Sequence, residues 1–327
     1  MSDQDESKTE QQTLPVFAEE FLIYMETIAG KSQNTVKEYR YDLQMFFGFM
    51  AEKKGLKKAE DFTEENLKNI VLTDLYAFLN YMNRERGDKA PTRARKVACL
   101  RSFFKYAQTK ANIIKVNPAS ELDSPKITKT LPRYLELEEC HTLLNVIDGE
   151  HKERDYCMIV LFLNCGMRLS ELVGINLTDI TGDTLVVTGK GSKERTIYLN
   201  DACIEAIDNY LRVRPKIIGK DENALFLSKR KQRISTKTVQ YTVKKYITMA
   251  NLDPHKYSTH KLRHTAATLM YAYGDVDIRA LQEILGHTSV ATTEIYTHVN
   301  NARLREAVSK NPLADFKQEN EEEESDG

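Results

Sequence analysis

The sequence predicts a two-domain, mainly α-helical protein with one small β-sheet in its second domain. Three observations lead to this fold class. The chain has 327 residues, enough for two domains that each bury a core. Apolar residues recur at helical spacing through most of it, and only TLVVTGK and RTIYL have the character of strands. A segment at 115–133 with three Xaa-Pro pairs interrupts this periodicity and is predicted to be the linker.

A helical domain is predicted over residues 13–114. Its last helix, PTRARKVACLRSFFKYAQ, starts with a proline suited to a first turn and has one apolar face. The other face carries four cations, Arg93, Lys96, Arg101 and Lys105. Such a face is either a solvated surface or a contact for nucleic acid, and the helix alone does not decide between the two.

A mixed α and β domain is predicted over residues 134–312, with helices in the majority. Helices are expected near 138–147 and 154–164, followed by a hairpin whose strands are joined by GKGSKE. Further helices are expected to begin near Ser258 and Ser289, which are suitable capping residues.

Charge is unevenly distributed along the chain, although the formal net charge is only -1. The two ends, 1–12 and 313–327, are acidic and predicted to be disordered. Residues 13–316 keep 45 basic and 38 acidic groups, so the body of the protein is about +7. A basic body suits a phosphate-rich partner.

The composition also indicates where in the cell the protein is located. The five cysteines are scattered and set in apolar stretches, which favours reduced core residues of a cytoplasmic protein. The polar, acidic start is unlike a signal peptide, and no apolar run approaches the roughly 20 residues of a membrane span. We therefore expect a cytoplasmic protein without a membrane partner.

Candidate catalytic residues lie in the second domain. Breaking a phosphodiester builds charge on its oxygens, and arginine clamps that charge well because its planar fork stays protonated. In NCGMRLSELVG, Gly166 is expected to end one helix and Arg168 to start the next, with Glu171 one turn on to hold the arginine. In THKLRHTAAT, His260 and Arg263 share one helix face and combine a proton-transfer group with a phosphate clamp.

Two further segments contain a candidate lysine and a candidate tyrosine. Lys190 lies at the tip of GKGSKE, where it is either a donor of a proton to a leaving oxygen or a solvated turn lysine. In LGHTSVATTEIYTHV, His287 lies in a turn and Tyr296 two turns into the next helix. The chain has 16 tyrosines, so periodicity does not single out Tyr296. CxxC, HExxH and GxSxG motifs and an aspartate cluster are absent, so no metal site is predicted.

In order and spacing, these motifs resemble the tyrosine recombinase (phage integrase) family, most closely its Xer branch. The likeness covers roughly residues 13–312, and SQNTVKEYRYDLQMFFGF and RKVACLRSFFKY resemble the family's SAM-like core-binding domain. It implies a core-binding domain and a catalytic domain that together grip DNA as a C-shaped clamp. The family's ordered set of Arg, Lys, HxxR, His and Tyr corresponds to Arg168, Lys190, His260, Arg263, His287 and Tyr296.

The resemblance implies roles for these residues and chemistry without a cofactor. Tyr296 attacks the scissile phosphate, which leaves a 3'-phosphotyrosyl bond and a free 5'-hydroxyl. The other implied roles are transition-state stabilisation by Arg168 and Arg263, protonation of the leaving oxygen by Lys190, acid or base catalysis by His260, and support of the phosphate site by His287. DNA contacts are assigned to the four cations of 93–105 and, in the hairpin, to Lys193 and Arg195.

The implied partners are double-stranded DNA and further recombinase subunits. The family acts as tetramers, here a homotetramer or a heterotetramer with another recombinase, and a cell-division DNA translocase is a further candidate partner. The segment NNARLREAVSKNPL resembles the helix that docks into a neighbouring subunit, through Leu304, Val308 and Leu313, unless it packs on its own domain.

The sequence is also compatible with other functions. An integrase or excisionase of a mobile element uses the same site, although the short segment before the first domain favours the Xer branch over integrases with an arm-binding domain. A type IB topoisomerase shares the chemistry. A catalytically silent DNA-binding regulator is a different class, and the complete catalytic set argues against it.

Overall fold

The chain divides into two compact units, with the division between residues 129 and 130. Each unit has its own hydrophobic core. The predicted fold class, mainly helical with a small sheet in the second unit, is confirmed. The computed structural model describes residues 13–127, 133–189, 194–274, 276–286 and 292–293.

The first unit is helical throughout its described residues. Ser32 caps the second helix by accepting a hydrogen bond from the backbone N–H of Thr35. Thr63 caps the third in the same way, and Pro91 lies in the first turn of the fifth. The helices are α1 (Val16–Thr27), α2 (Gln33–Lys53), α3 (Glu64–Lys68), α4 (Leu72–Arg84) and α5 (Ala90–Thr109), with a 3-10 turn at Ala59–Asp61.

Aromatic rings dominate the core of this unit. Phe47 and Phe103 meet edge to face, with ring centroids 5.6 Å apart and ring planes at 88°. Burial of each such ring contributes roughly 1.5–3 kcal/mol. The apolar face predicted for α5 is confirmed, because Val97, Leu100, Phe104 and Ala107 are all buried.

The cationic face predicted for α5 is wrong at one position. Lys96 is buried, and its Nζ lies 2.9 Å from Oδ1 of Asp42 on α2. Lys96 precedes Leu100 by one helical turn and therefore lies on the core side, where Asp42 supplies the countercharge that a buried ammonium requires. Lys96 is therefore unavailable as a DNA contact.

The other three cations of α5 stay at least partly accessible. Lys105 and Arg101 are exposed, and Arg101 donates a hydrogen bond to the carbonyl of Leu122. Arg93 is half-buried and donates to Asn83 and to the carbonyl of Asp88. Their assignment to DNA binding stays a prediction.

The chain leaves the first core later than the predicted linker begins. Ala119 and Leu122 are buried in the same core as Ile114. Asn117 supports this turn, because its Oδ1 accepts a hydrogen bond of 2.8 Å from the backbone N–H of Ala119. The last helix of the first unit therefore ends at Thr109, well before the chain leaves this unit at Lys129.

The second unit combines helices with a three-stranded antiparallel sheet. Its helices are α6 (Leu137–Asn145), α7 (Lys152–Cys165), α8 (Leu169–Gly174), α9 (Asp201–Val213), α10 (Thr236–Met249), α11 (Thr259–Tyr273) and α12 (Ile278–Leu285), with a 3-10 turn at Leu177–Asp179. The strands are β1 (Ile180–Thr181), β2 (Thr184–Thr188) and β3 (Glu194–Tyr198). Strand β2 pairs with β3 from Thr184 opposite Tyr198 to Thr188 opposite Glu194, which confirms the predicted hairpin.

Helix α7 is the central element of the second core. Every residue from Cys157 to Leu163 is buried, and α9 and α11 pack against this helix. All five cysteines are buried and free, in agreement with their apolar settings in the sequence. This packing fixes the position of α11, which carries His260 and Arg263, relative to the end of α7, which leads to Arg168.

Candidate active site

Arg168 lies at a tight junction between two helices. Gly166 ends α7 in a left-handed conformation, with φ of 57°, and Arg168 is the residue that precedes α8. A Cβ at Gly166 would lie 2.8 Å from Cδ2 of Leu285, and the left-handed backbone together with this close approach favours glycine here. The predicted junction is confirmed.

Arg263 enters the same junction from α11. Its side chain is only 5% exposed. Its Nη1 donates to the carbonyl of Gly166 at 2.6 Å, and its Nη2 to the carbonyl of Leu285 at 2.7 Å. Because two carbonyls fix the fork of the guanidinium, its charge is held in one place.

Glu171 joins the two predicted arginines. Its carboxylate is fully buried and accepts hydrogen bonds of 2.7 Å from both the backbone N–H and Nη1 of Arg168. Nη1 of Arg263 lies 3.9 Å from its Oε2. The contact expected between Glu171 and Arg168 is therefore present in the structure.

The charge of Glu171 is stabilised by its neighbours. Burial acts to raise the pKa of this carboxyl, but hydrogen bonds from Arg195 and from Arg168, together with the charge of Arg195, outweigh it and lower the pKa. Glu171 is therefore an anion in the folded protein at neutral pH.

Arg195 lies inside this cluster, which contradicts its assignment to DNA binding. Its side chain is 12% exposed, and its Nη2 donates to Oε2 of Glu171 at 2.9 Å. On β3, Arg195 lies two residues before the buried Ile197. Side chains two residues apart in a strand share one face, so both point to the covered face of the sheet. The alternation in ERTIYL was the available sequence evidence for this orientation.

The C-terminal end of α12 brings the three arginines together. Nη1 of Arg195 donates to the carbonyl of Ile284, and Nη2 of Arg263 to that of Leu285. Nη2 of Arg168 donates to the carbonyl of Gly286 at 2.8 Å. The last carbonyls of a helix lack partners within the helix and carry its negative dipole end, so they are suited to hold cations.

Gly286 leaves space for two of these side chains. Its φ is 62°, and a Cβ built on it would lie 2.6 Å from Cδ of Arg195 and 3.7 Å from Nη1 of Arg168. This glycine both ends α12 and allows the arginines to reach the helix end.

His260 contacts a second histidine on the same helix. Its Nε2 lies 3.0 Å from Nε2 of His264, and the rings meet edge to face. Partial burial and the positive charges of Lys261 and Arg263 lower the pKa of His260. The neutral imidazole is thereby favoured at neutral pH, and a neutral imidazole can accept a proton.

An open cleft of about 560 Å³ lies over this cluster. Arg168, Arg263 and His260 line it, as do Thr236 and Gln240 from α10. Thr236 and Gln240 were not predicted, because polar residues on the exposed face of an amphipathic helix are common and carry no distinguishing spacing. The cleft combines two guanidiniums with a neutral imidazole, an arrangement suited to a phosphodiester.

Four predicted site residues fall outside the described residues. They are Lys190, Lys193, His287 and Tyr296. Their roles stay predictions. In the part of the chain that is described, no group of three or more His, Cys, Asp or Glu side chains is placed to hold a metal ion. None of the described helices is long and apolar enough to cross a membrane.

Comparison with protein families identifies both units. Residues 133–303 match the model of the phage integrase family, and residues 18–110 match the SAM-like N-terminal domain of phage integrases. Tyrosine recombinase XerC of Caldanaerobacter subterraneus subsp. tengcongensis is 56% identical over 310 residues, which are 92% of this chain and 88% of the relative. Tyrosine recombinase XerD of Proteus mirabilis is 35% identical over 93% of this chain and 95% of its own length.

Solved structures give the same result for the fold. The XerH site-specific recombinase bound to its difH substrate, in a pre-cleavage complex, has a TM-score of 0.69 and 25% identity, over 92% of this chain and 96% of that one. A lambda integrase dimer bound to a COC' core site has a TM-score of 0.67 and 18% identity, over 87% and 95% of the two chains, and shows the fold alone.

Proposed function

Because the chain belongs to the phage integrase family of tyrosine recombinases, we propose that it cuts and rejoins double-stranded DNA at specific sites through a covalent bond to Tyr296. One observation carries this proposal most directly. Arg168 and Arg263 line one cleft and are held there by a buried carboxylate and a helix end. Preorganised guanidiniums stabilise the charge that develops on a phosphate in the transition state.

The proposed reaction has two steps that mirror each other. The Tyr296 hydroxyl attacks the phosphorus, the bond to the 5' oxygen breaks, and Lys190 donates the proton that makes that oxygen a hydroxyl. A 5'-hydroxyl from the partner duplex then attacks the phosphotyrosine and releases Tyr296. The bond energy is retained in the phosphotyrosyl ester, so rejoining needs no nucleotide.

The two histidines have supporting roles in this proposal. His260, held neutral beside Arg263, accepts the proton of the attacking hydroxyl and returns it in the reverse step. His287 follows directly after Gly286, whose carbonyl holds Arg168, and supports the phosphate from there.

The biological role that we propose is the Xer-type resolution of chromosome or plasmid dimers. The 56% identity to a XerC recombinase supports it. We further propose a cytoplasmic tetramer on double-stranded DNA, formed with itself or with a second recombinase and joined through residues 300–313. A DNA translocase of cell division is the proposed regulator of this tetramer.

A trapping experiment tests the reaction. The Tyr296→Phe variant is used to select bound sites from a pool of randomised duplexes, and wild-type protein is then incubated with a nicked duplex that carries the selected site. We expect a covalent adduct that survives a denaturing gel with wild type and none with Tyr296→Phe. Arg168→Ala should lower the rate of adduct formation about 100- to 1,000-fold. An adduct with Tyr296→Phe, or none with wild type bound to the site, contradicts the proposal.

A further inference from the structure

Arg195 has contacts that its place in the sequence does not suggest, and these contacts assign it a part in the reaction. We infer that Arg195 is a positioning residue: it is the permanent counterion of Glu171, and it thereby leaves the positive charge of Arg168 free for the DNA phosphate. The inference rests on the function proposed above.

The low exposure of the Arg195 side chain argues against a direct contact with DNA. Its side chain is 12% exposed, against 32% for that of Arg168. Its Nε and Nη2 point to the two oxygens of Glu171, at 3.4 Å and 2.9 Å. A fork placed in this way has its donors directed into the protein and not towards the cleft.

Charge balance explains why a second cation is needed. A buried carboxylate requires compensation, and Glu171 is fully buried. Without Arg195, Glu171 would offset the charge of one of the two arginines that line the cleft, and the charge that develops in the transition state would be stabilised less. With Arg195 as a second partner, Glu171 fixes the position of Arg168 while the cluster keeps an excess of positive charge.

Arg195 also connects two parts of the site. It lies on β3, which follows the connection that contains Lys190, and its Nη1 donates to the carbonyl of Ile284 at the end of α12. Helix α12 leads through Gly286 to His287 in the sequence. One side chain thus ties the strand after the proposed lysine to the helix before the proposed histidine.

Replacement of Arg195 tests the inference, and Arg212 supplies a matched control. Arg212 is an exposed arginine of the same unit, on α9. We expect Arg195→Gln to bind the selected duplex with an affinity close to that of wild type, and to form the phosphotyrosyl adduct about 100-fold more slowly. Arg212→Gln should match wild type in both measurements.

Two outcomes of this experiment overturn the inference. The first is an unchanged rate of adduct formation by Arg195→Gln. The second is weaker binding with a salt dependence reduced by about one phosphate contact, which makes Arg195 a DNA contact. If wild type itself forms no adduct, the proposed function fails instead, so the two failures are distinguishable.

A charge-paired variant separates positioning from mere structural support. In Glu171→Gln/Arg195→Gln the buried anion and its counterion are removed together, so the adduct should form about tenfold faster than with Arg195→Gln alone. Absence of this recovery overturns the inference. If Arg195→Gln does not fold, the double variant is compared with Glu171→Gln, and the two rates must agree within about twofold, because no carboxylate is left to neutralise.

Discussion

Each unit of the protein buries a carboxylate among cations, and the two clusters differ in their balance of charge. In the first unit, Asp42 pairs with Lys96 at 2.9 Å and with Arg95 at 2.7 Å. Arg95 also pairs with Glu38, and Asp88 lies 3.8 Å from Lys96. Three acids therefore face two cations, so this cluster has no surplus of positive charge.

The cluster of the second unit is unbalanced in the opposite sense. Glu171 faces three guanidiniums, those of Arg168, Arg195 and Arg263. Two of these arginines line an open cleft, and the excess positive charge is directed towards it. Buried cations that are fully matched by carboxylates support packing, whereas a positive surplus held by fixed partners forms a site for an anion.

Replacement of Lys96 should produce the largest effect, a loss of stability in the first unit. In Lys96→Met the buried carboxylate of Asp42 keeps only the partly exposed Arg95, so the free energy of unfolding should fall by about 3 kcal/mol. Chemical denaturation followed by circular dichroism measures this change. The exposed Lys105 on the same helix is the control, and Lys105→Met should change stability by about 0.5 kcal/mol or less. Normal stability of Lys96→Met with weakened DNA binding would remove the distinction between the two clusters.

A side chain at Gly286 should disturb the arginine cluster more mildly. The Cβ of Gly286→Ala collides with Cδ of Arg195, and the site should form the DNA adduct about tenfold more slowly. Gly182→Ala is the matched control, because Gly182 has a similar φ of 58° but no heavy atom within 4 Å of the added Cβ. This control should lose about 1 kcal/mol of stability and keep its cleavage rate. Equal cleavage rates for the two variants would contradict the close packing of Arg195.

Acid pH should produce the smallest effect, with opposite signs in the two clusters. The pKa of Glu171 lies below its ordinary 4.5, so its contribution to stability is present above pH 4.5 and is lost as the pH falls through the lowered pKa. The pKa of Asp42 lies above its ordinary 3.8, because burial outweighs the hydrogen bond and charge of Lys96. The contribution of Asp42 is therefore present below pH 3.8 and is lost as the pH rises through the raised pKa.

Stability curves of two variants measure this difference. Glu171→Gln should flatten the loss of stability below pH 4.5, and Asp42→Asn should flatten a loss that develops above pH 3.8. If both variants changed the slope of stability against pH in the same direction, the two carboxylates would be equivalent, which contradicts the prediction.

Local features were predictable because they depend on neighbours in the sequence. The apolar face of α5 follows from helical spacing, and the junction at Gly166 and Arg168 from the preference of helix ends for glycine. The two-residue strand β1 was not predicted, since so short an element shows no period. The inward direction of Arg195 was visible in the alternation of β3, but its charge suggested a surface position.

By itself, the sequence determined the two-domain helical architecture and the order of candidate catalytic residues, because caps, periodicity and motif spacing act over a few residues. Only the tertiary structure decided which cations pair with buried carboxylates of the protein and which line a cleft where they can bind a ligand. A buried charge depends on a partner that folding brings near: Asp42 is 54 positions from Lys96, and Glu171 is 24 positions from Arg195. Gly286, whose carbonyl holds Arg168, is 118 positions away from it.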